Sequence, residues 1–150
     1  MMEFLATKDA ALIPFVLSQI LDTCVNGITL SDPDEEDNPI VYANEAFELI
    51  TGYSREEILG RNCRFLQGED GDQESLEKVR SAIKDKESVT VTIRNYRKDG
   101  EMFYNRLTIR PLFDRDGRLI YFLGLQYDIT NQVQAREELK QLNRLLGQVD

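Results

Sequence analysis

Three strand-like segments follow one another toward the C-terminal end of the chain, and they constrain its fold more than any other feature. Residues 88–97, 102–113 and 119–128 are rich in β-branched and aromatic side chains. Turn sequences separate them, Lys98-Asp99-Gly100 and Asp114-Arg115-Asp116-Gly117. Connections this short join neighbouring antiparallel strands, since parallel strands need a long crossover. The sequence therefore predicts a three-stranded antiparallel sheet.

Shorter elements precede and follow these strands. Asn44 and Ser54 stand where N-caps are expected, and Pro14 fits the first turn of a helix. Apolar spacing and turn residues predict short strands over 27–30 and 40–43, and helices over about 13–24, 45–50, 55–59, 73–85 and 130–149. The fold class is therefore α+β, an antiparallel sheet with helices on one face.

Composition excludes several kinds of function. The 150 residues suffice for one domain, and they include no histidine, which removes Ser-His-Asp and Cys-His catalysis and histidine metal sites. A net charge of −9 argues against direct nucleic-acid binding. No stretch approaches the roughly 18 apolar residues of a membrane span, and no signal-peptide pattern is visible. We therefore expect a cytoplasmic protein that is not an enzyme, with no metal and no membrane partner.

Carboxamide side chains line up on one face of the predicted sheet. With three residues in the first turn and four in the second, the simplest registers place Asn95 opposite Asn105, and Asn105 opposite Gln126. Their neighbours of the same parity are apolar, and buried amides are costly without partners. The row therefore suits the edge of a planar heterocycle with alternating carbonyl and N–H groups. Alternatively, the amides pair with one another or with loop backbone.

The opposite face of the last strand is also apolar, where a solvent face would alternate with polar residues. The terminal helices or a second copy of the chain would cover its side chains, Tyr121, Leu123, Leu125 and Tyr127. The C-terminal segment carries a short heptad-like seam of apolar residues, Ala135, Leu139, Leu142, Leu146 and Val149. This seam either packs on its own sheet or forms a coiled coil, which predicts a homodimer through the terminal helices.

The segment around Cys63 places a thiol between Asn62 and Arg64. A nearby guanidinium favours the thiolate, and a partly exposed thiol beside a cofactor can react. Without histidine there is no obvious base that would make Cys63 a hydrolytic nucleophile. The residues alone therefore leave a bound electrophile as its best target. The second thiol, Cys24, lies on the apolar side of the first helix and is interpreted as a core cysteine.

The nine residues GRNCRFLQG, from Gly60 to Gly68, resemble the signature of LOV (light-oxygen-voltage) domains, the flavin-binding photoreceptor branch of the PAS fold. Further matches are Thr51-Gly52-Tyr53-Ser54, Asn95-Tyr96, Phe103-Tyr104-Asn105 and Tyr121 to Gln126. The resemblance covers about residues 25–128. It implies a PAS-type five-stranded antiparallel sheet with short helices on one face, an N-terminal flanking helix over 1–24, and a C-terminal helix over 129–150 that dimerises or links to another domain.

The resemblance also assigns roles near the flavin ring. Cys63 is similar to the thiol that adds reversibly to flavin carbon C4a after blue-light excitation. Asn95 and Asn105 are similar to the amides that contact the pyrimidine edge of the ring. Gln126 is similar to the residue near N5 that changes its hydrogen bond when N5 is protonated, and it would pass the signal through the last strand to the flanking helices.

Other matched positions would complete the flavin site. Asn62 and Gln67 resemble ribityl and ring contacts, and Arg64 and Arg80 resemble a pair that binds the phosphate, which favours FMN as the cofactor. Three further residues would form pocket wall, namely Thr29, Leu107 and Phe122. Away from the pocket, Glu57 and Lys98 resemble a surface salt bridge of the family.

Three functions are compatible with these residues. The first is a blue-light photoreceptor module that binds FMN. The second is a flavin-dependent redox sensor that uses the same pocket, and the third is a structural PAS module that only dimerises. The sequence has no room for an output domain, so we expect either a short receptor that signals through its own helices, with or without a partner protein, or a piece of a longer protein in which residues 130–149 link to an effector domain.

Overall fold

The structure, a computed structural model, describes residues 12–147. In chain order its elements are α1 (Leu12–Thr23), β1 (Gly27–Ser31), β2 (Ile40–Ala43), α2 (Glu45–Thr51), α3 (Arg55–Ile58), a 3₁₀ helix (Cys63–Gln67), α4 (Ser75–Asp85), β3 (Val89–Tyr96), β4 (Met102–Phe113), β5 (Leu119–Asp128) and α5 (Thr130–Leu145). The predicted element types are all confirmed, and most boundaries agree within two residues.

The five strands form one antiparallel sheet in the order β2-β1-β5-β4-β3. β1 and β5 are therefore neighbours in the middle of the sheet although they stand at opposite ends of the sequence. The chain between β2 and β3 crosses one face of the sheet and contributes all the short helices and α4. This path confirms the predicted α+β fold and creates an interior between the sheet and those helices.

The strand registers differ from the simplest ones. Asn95 pairs with Phe103 rather than Asn105, and Asn105 pairs with Asp128 rather than Gln126. The first turn loop is residues 98–100, because Arg97 N–H donates to Glu101 O (2.9 Å). The second hairpin contains an irregularity between Leu112 and Phe113. Each register shifts by two residues, so the faces are preserved and all three amides remain on the buried side.

The local signals in the helical region explain its sharp turns. Asn44 caps α2 by accepting a hydrogen bond from Phe47 N–H, and Gly52 ends that helix with a positive φ of 80°. Ser54 and Glu57 form a reciprocal capping box at α3. These caps set the direction of the chain into the 3₁₀ helix, which carries Cys63.

Two apolar clusters lie between the helices and the sheet. One surrounds the inner face of α4 and the sheet, and contains Leu76, Val91, Ile93, Leu107, Ile109 and Phe122. The other joins β2, α2, α3 and the 3₁₀ helix, and contains Ile40, Ala43, Phe47, Ile58 and Leu66. Leu76 and Phe122 of the first cluster and Cys63, which packs against the second, all border one cavity.

The terminal helices differ in how they are attached. α1 is joined to the core because the Asn44 amide donates to Leu21 O (2.9 Å), and Asp22 accepts from Glu45 N–H (3.0 Å). No residue of α5 is buried, and Leu139, Leu142 and Leu146 are exposed by half or more. The last seam residue, Val149, lies outside the described residues. Across residues 12–147, no helix is long and apolar enough to span a membrane.

Candidate functional site

A cavity of about 350 Å³ lies between the sheet and the helices. The sheet side of its wall comes from β1, β4 and β5, and the other side from the 3₁₀ helix and α4. Nine of the eleven residues predicted for the site border it, namely Thr29, Asn62, Cys63, Arg64, Gln67, Arg80, Leu107, Phe122 and Gln126. The two remaining residues, Asn95 and Asn105, are buried elsewhere on the same face of the sheet.

Gln126 supplies the most buried amide of the cavity wall. Its Nε2 donates to Thr29 Oγ1 across the β1–β5 pair (3.3 Å), whereas its Oε1 is buried with no hydrogen-bond partner in the described structure. Gly124 makes room for this arrangement, because a Cβ there would lie 2.5 Å from Thr29 Oγ1 and 2.9 Å from Gln126 Nε2. Gln126 therefore leaves one amide oxygen without a protein partner in the wall of the cavity.

Asn95 and Asn105 form a connected pair beside that wall. Asn105 Nδ2 donates to Asn95 Oδ1 (2.9 Å), and Asn95 Nδ2 donates to Arg94 O (3.1 Å). Asn105 Oδ1 is a second buried acceptor that lacks a partner among the described residues. The interpretation that the amides pair with one another and with backbone is thus met for Asn95 and Asn105, and the interpretation as a ligand-binding edge stays a prediction.

Cys63 lies at the start of the 3₁₀ helix and borders the cavity. Burial raises the pKa of its thiol, and the opposing effect of the Arg64 charge is smaller. Arg64 does favour the thiolate, as expected, but desolvation penalises the anion more strongly than Arg64 stabilises it. Cys63 is a protonated thiol at neutral pH.

Charged side chains surround the outer part of the cavity. Arg64 and Arg80 are each more than half exposed; Arg64 forms an ion pair with Asp37, and Arg80 Nη2 pairs with Glu77 Oε1 (2.5 Å). Both ends of the Asn62 amide form hydrogen bonds within the protein: its oxygen accepts from Arg64 N–H (3.0 Å), and its nitrogen donates to Asp37 O (2.7 Å).

Several wall residues were not identified from the sequence. Asp37 and Asn38, in the acidic loop between β1 and β2, border the cavity with positive φ angles of 67° and 47°. Lys84 adds a third cation one helical turn beyond Arg80. Val79 and Ile83 of α4 and Ile109 of β4 add apolar wall. No sequence pattern indicated the contact between the acidic loop and Arg64, because it is made across 27 positions.

The predicted surface salt bridge is confirmed. Lys98 Nζ lies 2.9 Å from Glu57 Oε2 and joins α3 to the β3–β4 turn. This partner and the capping hydrogen bonds of Ser54 lower the pKa of Glu57 to about 2. Among the described residues there is no group of three or more His, Cys, Asp or Glu side chains that could hold a metal ion.

The family model for the PAS domain matches residues 25–131. A protein named "Blue-light photoreceptor" from Listeria monocytogenes is 46% identical over 125 residues, which are 83% of this chain and 49% of that protein. The chain therefore spans about half the length of the curated relatives it matches first.

Two solved structures share both the fold and much of the sequence. The LOV domain of the blue-light-activated histidine kinase EL346 from Erythrobacter litoralis is 48% identical, with a TM-score of 0.66 over 70% of this chain and 96% of that one. A structure titled "Flavin Analogue Sheds Light on Light-Oxygen-Voltage Domain Mechanism" is 40% identical, with a TM-score of 0.73 over 90% of this chain and 99% of that one. The chain belongs to the PAS domain family and, within it, to the LOV domains.

Proposed function

We propose that the chain is the light-sensing module of a blue-light photoreceptor and that it holds a flavin in the cavity beside Cys63. The observation that carries the proposal is the combination of a thiol on the helical wall with a buried, unpaired amide acceptor on the sheet wall. The names of its relatives, a blue-light photoreceptor and a blue-light-activated kinase, support the same function.

The residues present fit a flavin. Ligand cavities commonly measure about 300–1,000 Å³ and combine apolar walls with a few polar groups, and this cavity has both features. The Gln126 amide, which borders the cavity, would donate to a ring acceptor such as N5 and, after turning, accept from N5 once it is protonated. Arg64, Arg80 and Lys84 supply positive charge at the outer part of the cavity, which favours a ligand that ends in phosphate, hence FMN over riboflavin.

Cys63 is suited to a reaction that begins from a neutral thiol. When bound, the flavin would supply both the absorption of blue light and the ring carbon C4a to which the Cys63 sulfur bonds reversibly. The thiol carries its proton in the dark because burial raises its pKa. Cys63 can therefore provide both a sulfur and a proton inside a site that contains no histidine base.

Gln126 is suited to report a change of protonation beside it. A primary amide offers an acceptor at one end and a donor at the other, so turning it by half a rotation exchanges the two. Thr29 is its hydrogen-bond partner, and a hydroxyl can either accept or donate. The amide can thus turn without losing that partner, at a scale of about 1 kcal/mol.

The strand that carries Gln126 leads directly to α5. After β5 ends at Asp128, that carboxylate accepts from Thr130 N–H (3.0 Å) and Thr130 Oγ1 (2.6 Å). Thr130 Oγ1 in turn accepts from Tyr104 N–H of β4 (2.9 Å). A displacement of β5 would therefore reach the start of α5, and we propose that the signal leaves the module through this helix.

The exposed seam of α5 supports a homodimer as the signalling unit. Leu139, Leu142 and Leu146 present apolar surface to solvent along one helix. In a longer protein the same helix would connect to an effector domain, as the length of the relatives permits.

The visible absorption spectrum tests this function. The purified chain, saturated with FMN, is expected to show a structured flavin band that bleaches after a blue flash and returns in the dark. A redox sensor would instead keep its band under light and lose it only with reductant. A chain that takes up no flavin would refute the proposal.

A further inference from the structure

The segment from Gly68 to Glu74 joins the two helical walls of the cavity. It begins after Gln67, at the end of the 3₁₀ helix that carries Cys63, and it ends at the first turn of α4. Both helices border the cavity, whereas this segment does not. The attachment of this segment to the sheet therefore affects how firmly the 3₁₀ helix and α4 are held. The segment itself makes no contact with a ligand in the cavity.

Two side chains of this segment attach it to β3. The Asp70 carboxylate accepts from Arg94 Nε (2.7 Å), from Arg94 Nη2 (3.0 Å) and from Tyr96 Oη (2.7 Å). The Gln73 amide accepts from Arg94 N–H (2.8 Å) and donates to Arg94 O (2.9 Å). We call these four residues the Asp70 clamp.

The clamp uses the free edge of the sheet. β3 is the last strand in the order of the sheet, so its outer backbone groups have no neighbouring strand. Gln73, which is 7% exposed, forms hydrogen bonds with the backbone N–H and the backbone carbonyl of Arg94, as a sixth strand would. Gln73 is thus a buried, specific attachment, whereas the ion pair of Asp70 with Arg94 is partly exposed, with side chains 25% and 42% exposed.

The clamp also touches the amide pair of the site. Arg94 O accepts from Gln73 and also from Asn95 Nδ2 (3.1 Å), and Asn95 accepts from Asn105. On its other side, Asp70 N–H donates to Gln67 O (2.9 Å), at the end of the 3₁₀ helix. One group of hydrogen bonds therefore connects the Cys63 helix to the amides on the sheet.

We propose that Asp70 and Gln73 are positioning residues that hold the Cys63 helix and α4 against β3, and that the Asp70 clamp sets how fast a bound flavin leaves the cavity. This inference rests on the proposed function. Release requires the helical wall to move away from the sheet, and the clamp is the polar attachment that resists this movement between the two wall helices.

The rate of FMN release tests the inference. The full chain is loaded with FMN, diluted, and monitored through the fluorescence of free flavin. Asp70→Asn is expected to speed release about five- to tenfold, since it removes the charge from three hydrogen bonds. Arg94→Lys should have an intermediate effect on the release rate, because lysine keeps the charge but cannot form the bidentate hydrogen bonds to Asp70.

Glu57→Gln is the matched control. It removes a carboxylate of similarly low pKa that pairs with Lys98, outside the cavity wall. The inference predicts an unchanged release rate for this variant. Equal release from Asp70→Asn and the wild type, or equal acceleration by Glu57→Gln, would overturn it.

A measurement without flavin separates this inference from the proposed function. Amide hydrogen exchange in the flavin-free chain should show that Asp70→Asn weakens protection across residues 63–67 and 75–85. Loss of protection confined to residues 69–73 would refute the clamp even in a chain that binds FMN. A wild-type chain that takes up no FMN would refute the proposed function. Amide hydrogen exchange over residues 63–67 and 75–85 would then still test whether the Asp70 clamp holds the two helices.

Discussion

At the scale of single residues, the site depends on where polar atoms are left without partners. Gln126 and Asn105 each keep a buried, unpaired oxygen, although most buried polar atoms in proteins are hydrogen-bonded. Such atoms are costly in an empty protein and favourable once a ligand donates to them. We therefore expect a bound flavin that donates to Gln126 to raise the stability of the chain.

Gly124 controls this part of the site. We expect Gly124→Ala to weaken FMN binding by about tenfold or more, because its Cβ would meet Thr29 Oγ1 at 2.5 Å and push the Gln126 amide from its place. Titration of the flavin-free chain with FMN measures the change. Gly71→Ala is the control, since the nearest atom to its new Cβ lies at 3.7 Å; equal affinities for the two variants would contradict the account.

Residue types and faces could be predicted from the sequence, but pairings across the chain could not. The parity of Asn95, Asn105 and Gln126 followed from strand periodicity, and a register error of two residues left it unchanged. The role of Asp37 was missed because its contact with Arg64 depends on how a loop returns to the 3₁₀ helix. The pKa direction of Cys63 depended on burial, which only the packed structure reveals.

At the scale of elements, Asn44 joins three of them. Its side chain accepts from Ile28 N–H of β1 (2.8 Å) and from Phe47 N–H of α2 (3.1 Å), and it donates to Leu21 O of α1 (2.9 Å). It is completely buried. One residue therefore serves as an N-cap and also fixes the N-terminal helix to the sheet.

We expect Asn44→Ala to lower the free energy of unfolding by about 2–4 kcal/mol, because it removes a cap and leaves several backbone groups unpaired. Chemical denaturation measures the loss. Asn131→Ala, at an exposed position of α5, should change stability by less than about 0.5 kcal/mol. A loss at Asn44 no larger than at Asn131 would show that α1 is not held in this way.

Acid should weaken two connections between elements. Lys98 and Ser54 lower the pKa of Glu57 to about 2, and Arg94 and Tyr96 lower the pKa of Asp70 to about 2. Both pKa values lie below the usual carboxyl value of about 4. The ionised carboxylates therefore stabilise the fold at pH values above about 4, and this contribution is lost as the pH falls toward 2.

The melting temperature of the wild type should therefore fall between pH 5 and pH 2.5 more steeply than that of a Glu57→Gln, Asp70→Asn double variant. The scan needs only the flavin-free chain. Parallel curves for the two proteins would contradict these pKa values.

At the scale of the whole molecule, the exposed apolar residues of α5 form a surface that nothing in the described structure covers. A helix with no buried residue gains little from its own sheet, so we propose a second copy as the partner of its seam. Such a dimer would also place the C-terminal ends of the two β5 strands side by side. A light-dependent change at Gln126 could then alter the packing of two helices at once.

Leu142→Glu is expected to convert a dimer into a monomer, because it places a charge in the apolar seam. Light scattering after gel filtration measures the mass. Gln141→Glu, one position away and off the seam, should leave the mass unchanged. A wild-type chain that is monomeric at about 100 μM would contradict the proposed dimer, at any affinity that matters for signalling.

The central claim is that light makes a reversible bond from Cys63 and from no other thiol. The chain offers its own control, because the second cysteine, Cys24, directly follows α1, is half-buried rather than in the core as expected, and donates to Ile20 O at 3.5 Å. The most direct test compares Cys63→Ala and Cys24→Ala, both loaded with FMN, by absorption after one blue flash. The account predicts full bleaching and dark recovery in Cys24→Ala and none in Cys63→Ala; a reversible bleach that survives in Cys63→Ala would contradict it.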